Sequence, residues 1–101
     1  MKGRERAELR AEAHHLTPKV HVGKEGLSPA LIKSLDDTLR THELVKVKLM
    51  KNPDVKSKDA AGELAQATKS DVIQVIGRTA TFYRENPDIP KKKGELPPWK
   101  K

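Results

Sequence analysis

Cysteine is absent from this chain of 101 residues, which removes disulfides, thiolate metal sites and thiol nucleophiles together. Only three aromatic residues are present, Phe82, Tyr83 and Trp99, so one modest core has few large rings to fill it. No run approaches the roughly 18 apolar residues of a membrane span. The opening Met1-Lys2-Gly3-Arg4-Glu5-Arg6 leads into no apolar signal core. A cytoplasmic protein without membrane contact is expected. Catalytic constellations are missing too. Asp36 and Asp37 are neighbours on a predicted helix and diverge by roughly 100°. His14, His15, His21 and His42 contain no i, i+4 pair and no HExxH companion. No G-x-S-x-G is found. The sequence therefore predicts no enzyme, no metal and no cofactor.

What it has is positive charge. With 21 Lys+Arg against 14 Asp+Glu, the net charge is +7. The excess is not confined to the end of the chain, since residues 1–84 hold 16 basic and 11 acidic residues, a balance of +5. A basic folded part points to a polyanionic partner, nucleic acid or an anionic membrane surface.

Periodicity gives the element order. Mixed charge around Ala7, Leu9, Ala11 and Ala13 predicts a helix over 4–14 with a thin apolar stripe, and Thr17-Pro18 ends it. Residues 19–22 alternate as a half-buried strand does. Leu31, Ile32, Leu35 and Leu39 predict a helix from Pro29 to about His42, with Lys33, Asp36, Asp37 and Arg40 on its outer face. Residues 44–50 return to period two, with Val45, Val47 and Leu49 on one side and Lys46, Lys48 and Met50 on the other. Ser57 is the predicted cap of a third helix whose inner face is Ala60, Ala61, Leu64, Ala65 and Thr68. Residues 71–76 and 79–84 read as a hairpin turned by Gly77-Arg78. From residue 85 the prolines and Lys91-Lys92-Lys93 predict a flexible tail. The fold expected is α+β, a two-layer sandwich of order α-β-α-β-α-β-β: helices on one face of a mixed four-stranded sheet, the other face open. The domain is 1–84 and the tail 85–101.

The most informative run is Val22-Gly23-Lys24-Glu25-Gly26-Leu27-Ser28-Pro29. It joins a strand to a helix start through a loop flanked by glycine. Ser28 suits an N-cap and Pro29 the first helical position, so first-turn amides should point back toward the loop and attract anions. Glycines allow a sugar-phosphate chain close approach, and Lys24 supplies a compact charge. Gly-x-x-Gly alone arises by chance in roughly half of chains this long. Its weight comes from what surrounds it.

Three ordered blocks carry a resemblance. Residues 15–28 (HLTPKVHVGKEGLS), 42–48 (HELVKVK), and 72–78 (VIQVIGR) with Phe82-Tyr83-Arg84 resemble the CRM domain (chloroplast RNA splicing and ribosome maturation) in its free-standing bacterial YhbY-like form, across about residues 5–84. The resemblance implies an RNA-binding sandwich, similar to the C-terminal domain of a bacterial translation initiation factor. It also implies ribosomal RNA in large-subunit precursors as partner, with a role in ribosome assembly. Carried over, the RNA-contacting loop is Gly23, Lys24, Glu25 and Gly26, and the basic surface includes Lys19, Lys46, Lys48, Arg78 and Arg84. Lys33, one turn into the helix, extends the same groove. Phe82 stands where the family more often has leucine, and the loop 51–56 and the tail depart from its pattern. KH domains have a similar loop between two helices, whereas here it follows a strand. A monomer acting through shape and phosphate contacts is expected. The alternatives are a regulatory module presenting the same face to a protein, or a general RNA chaperone or splicing-type factor.

Overall fold

Backbone pairing organises the molecule, and the computed structural model describes it over residues 3–23, 26–50, 56–89 and 98–100. The elements run α1 (Gly3–Ala13), β1 (Val20–His21), α2 (Pro29–His42), β2 (Leu44–Lys48), α3 (Ser57–Thr68), β3 (Asp71–Ile76), β4 (Thr79–Tyr83) and a short 3-10 turn, Pro98–Lys100. The four strands form one sheet of order β1-β2-β4-β3. β1 is parallel to β2, and β4 is antiparallel to both of its neighbours. The class, order and hairpin expected from the sequence are those observed.

Each element has a local cause. Ser28, at φ −83° and ψ 160°, caps α2 through its Oγ, which accepts from the Leu31 amide at 3.1 Å, and Pro29 opens the helix. Gly77 alone of the hairpin pair takes positive φ, +57°, the sign that a tight two-residue turn with glycine first requires. Ser57, predicted as a cap, is instead the first residue of α3; the cap position is Lys56 and makes no side-chain bond. The Ser57 hydroxyl faces the hairpin, where Arg78 Nη1 lies 3.5 Å away.

The core lies between the sheet and the pair α2, α3. Val20, Val45, Val47, Leu49, Ala80 and Phe82 from the sheet meet Leu35, Leu39, Ala60, Ala61 and Leu64 from the helices. Phe82 is completely enclosed, a burial worth about 3 kcal/mol. α2 and α3 touch each other as well as the sheet, so the two helices share one sheet face.

The opposite face is not wholly open, as the two-layer reading expects. α1 packs on it against β2 and β3, and Arg6 bonds the Val72 carbonyl. Ala13, Leu44, Ile73 and Thr81 are buried outside the main core as a result. Ile73 is the extra residue where the β3–β4 register shifts between Val72 and Gln74. Because α1 is nearly polar all round, its position follows from these contacts and not from a strong apolar stripe.

At the end of the sheet where α2 runs into β2, two charged groups act structurally. Arg84 reaches Asp36 Oδ1 at 2.6 Å, the Asp36 carbonyl at 3.0 Å and the Thr68 carbonyl at 2.6 Å, tying β4 to both helices. Its hydrogen bond holds the Asp36 carboxyl below the usual carboxylate range. Asp36 is thus part of a clamp, not only of a solvated face. Glu43 follows α2 at φ +64°, wholly buried, and its Oε2 accepts from the Asn86 amide at 2.6 Å. Asn86 Nδ2 in turn donates to the Arg40 carbonyl at 2.7 Å.

The segment read from sequence as a flexible tail is therefore seated at Asn86 and again at Pro98–Lys100, which packs on α2 and β2. The Trp99 and Tyr83 rings meet edge to face, centroids 6.2 Å apart at 80°. Residues 51–55 and the lysine run 91–93 lie outside the described residues. Burial first, then the charges of Glu43, Glu85 and Glu5, push the Tyr83 hydroxyl up to about 12. Its ionisation is thus disfavoured in the folded state, so stability present below the ordinary value of 10.0 is lost as pH rises toward about 12. Tyr83 being the only tyrosine, tyrosinate absorbance reports it cleanly. The native protein is expected to titrate near 12, the urea-unfolded chain near 10, and Trp99→Ala in between; native titration at the ordinary value would contradict the packing of this end.

Candidate nucleic-acid interface

Strand polarity decides which groups meet. β1 and β2 are parallel, so both carboxyl ends point one way, and α2 must start there to return the chain between them. β4 starts at that same end, which brings the Gly77-Arg78 turn alongside. The Val22 amide donates to the Lys48 carbonyl at 2.8 Å, and the Leu49 amide to the Arg78 carbonyl at 2.7 Å, locking loop, strand end and turn together.

The loop itself is partly structural. Gly26 has φ +70° and its amide donates to the Gly23 carbonyl at 3.0 Å, closing a tight turn before Ser28. Gly23 is exposed with no positive φ, and a methyl group placed on it would meet nothing within 4 Å. Nothing in the described residues demands glycine there. Of the α2 first turn, Pro29 has no amide hydrogen, and those of Leu31 and Ile32 are taken by the Ser28 hydroxyl and carbonyl. The Ala30 amide is left for an anion, fewer than the sequence suggested.

Among the ten predicted site residues, the structure brings Gly23, Gly26, Lys48 and Arg78 to this end. Lys46 and Lys19 lie one residue pair further along the outer sheet face, where the Lys19 amide donates to the Lys46 carbonyl at 3.1 Å. Lys33 is exposed near the start of α2, on the helix layer. Lys24 and Glu25 lie outside the described residues. Arg84 is the one that does not join them. It stands at the far end of β4, its guanidinium engaged by Asp36 and Thr68.

The site drawn from sequence omits His21, Thr79 and Ile76, which the register aligns with Lys48 in one row across the four strands. Counting outward from Gly77-Arg78 in steps of two would have found Thr79 and Ile76. Among the described residues, no group of three or more His, Asp or Glu is arranged to hold a metal ion, and no helix is long and apolar enough to cross a membrane.

A small basic α+β domain with a glycine-flanked loop, a helix start and lysines at one end of a mixed sheet has the make-up of a phosphate-backbone binder. The chain belongs to the CRS1/YhbY (CRM) domain family, whose pattern matches residues 1–84. It is 37% identical over 95 residues to Probable RNA-binding protein YqeI of Bacillus subtilis, covering 94% of this chain and 97% of that one. It is 34% identical over 83 residues to Probable RNA-binding protein PA4753 of Pseudomonas aeruginosa, covering 82% and 80%. The solution structure of the hypothetical protein SAV1595 from Staphylococcus aureus, a candidate RNA binding protein, superimposes with a TM-score of 0.76 at 40% identity, over 96% of this chain and 99% of that one.

The two loop glycines should separate by substitution. Gly26→Ala is expected to cost about 1 kcal/mol in urea unfolding, because alanine is strained at positive φ. Gly23→Ala should leave the unfolding midpoint within about 0.5 kcal/mol of the parent while weakening binding of an RNA strand that must approach the backbone. Equal destabilisation by both would make the loop a turn and nothing more.

Proposed function

We propose that this protein binds RNA through the loop 23–26, the start of α2 and the cations Lys19, Lys24, Lys33, Lys46, Lys48 and Arg78. Its target is ribosomal RNA in precursors of the large subunit, where it acts as an assembly factor. It works as a cytoplasmic monomer, without a cofactor and without chemistry on the RNA. The observation that carries the reading is the meeting of glycine loop, helix start and basic strand end at one end of the sheet. The names of the relatives support RNA as the polyanion, and the basic balance of residues 1–84 supplies the charge.

Contacts of this kind give affinity and register more than base choice. They make binding depend on salt, since each neutralised phosphate releases counterions. On a single strand the log of affinity should fall against the log of salt with a slope of about 0.7 per neutralised phosphate. Lys24→Glu combined with Lys46→Glu should weaken ribosomal RNA binding at least about tenfold and flatten the slope by about 1.4, the share of two phosphates. Affinity that is flat in salt and indifferent to the pair would exclude this mode of binding. Crosslinking in cells separates the target: recovery of large-subunit precursors is the expected result, and recovery mainly of messenger or transfer RNA would overturn the ribosomal part.

A further inference from the structure

The outer sheet face is divided into rows by its register. One row runs across all four strands as His21, Lys48, Thr79 and Ile76, each paired directly with the next. A second holds Lys46, Thr81 and Gln74, with Lys19 beside Lys46. A third, Leu44, Tyr83 and Asp71, belongs to the end where Leu44 is buried and Tyr83 meets Trp99. Exposure follows the rows. Thr81 in the second is already buried, whereas His21, Lys48 and Ile76 in the first are exposed and Thr79 is half-buried.

Two side chains on this face do not suit water. Ile76, 60% exposed, and Met50, 46% exposed, are the exposed large hydrophobic residues among those described. Ile76 ends the first row. Met50 continues the parity of Lys46 and Lys48 just beyond β2. A hairpin tip and a strand end could carry polar residues there at no cost to the core, so two apolar groups beside two basic ones need an occupant. The first two rows contain no carboxylate, which favours an anionic one.

We infer that the His21–Ile76 row is a seat for unpaired nucleotides of the bound RNA, with Lys48 and His21 toward phosphates and Ile76 and Met50 against base faces. This rests on the proposed RNA function and assigns the form of RNA recognised. Three strand spacings of about 4.8 Å give the row a length of roughly 14 Å, enough for a short stretch of single strand. A duplex presents phosphates and 2′-hydroxyls across a shallow groove and gains little from aliphatic side chains. An unstacked base has an apolar face, and the methionine thioether packs well against aromatic rings. Thr79, between the two halves, and Gln74, two residues before Ile76 on β3, offer groups that hydrogen-bond base edges. With Tyr83 engaged by Trp99, the row uses aliphatic contact where other four-stranded RNA-binding sheets use rings.

The test compares the full chain with the double variant Ile76→Ser, Met50→Ser on two probes, an oligouridine of about 12 nucleotides and an RNA duplex of about 16 base pairs. Both positions are exposed, so the thermal melt should be unchanged. The oligouridine affinity should fall about fivefold to tenfold, the duplex affinity should stay within about twofold, and both salt slopes should persist because no cation is removed. Unchanged oligouridine binding, or an equal loss on both probes, would overturn the row while leaving RNA binding in place. Failure of the unsubstituted protein to bind either probe would overturn the RNA reading itself.

Discussion

Parallel pairing of β1 with β2 is the constraint on which the rest depends. β1 is only two residues long, yet the Lys19 and Val22 amides extend its bonding to β2 on either side. Parallel strands need a crossover, here α2, and a crossover helix must begin where the first strand ends. The loop bearing Gly23 and Gly26 is therefore forced to the carboxyl end of the sheet. Insertion of β4 between β2 and β3 then brings the hairpin turn to the same end. The place of the proposed binding groups at strand ends follows from topology before any side chain is chosen, as in other sheets that carry ligands outside their carboxyl ends.

The two ends of the sheet have divided the work. At one, Arg84, Asp36, Glu43 and Asn86 are turned inward, and charge is used for tying strands, helices and the tail together. A partly buried ion pair is by itself weak evidence of added stability, but here its carbonyl bonds join β4 to both helices. At the other end Lys48, Lys19 and His21 are exposed, and the charge faces outward. α1 marks the boundary on the outer face, covering Leu44 and leaving the row from His21 to Ile76 open.

Much of this was legible in the sequence because it is local. Ser28-Pro29 specifies a helix start, the alternation of residues 44–49 specifies a strand with an aliphatic and a basic side, and Gly77-Arg78 specifies a turn. What was not legible depends on partners far along the chain. Arg84 reads as a free cation until α2 brings Asp36, 48 positions earlier, to 2.6 Å. Glu43 has no role legible in sequence until Asn86, 43 positions later, bonds it, and Trp99 reads as part of a loose tail until Tyr83 meets it. The apolar stripe of α1 is too thin to announce that the helix packs on the outer face, so the open face looked larger than it is.

The most direct measurement of the central claim is amide chemical-shift mapping of the full chain during titration with a single-stranded ribosomal RNA fragment. The account predicts that the largest shifts cluster in residues 20–33, 46–50 and 76–79, with Glu43, Arg84 and Asn86 nearly unmoved. Shifts centred on Glu43, Arg84 and Asn86, or scattered over both ends of the sheet, would contradict it.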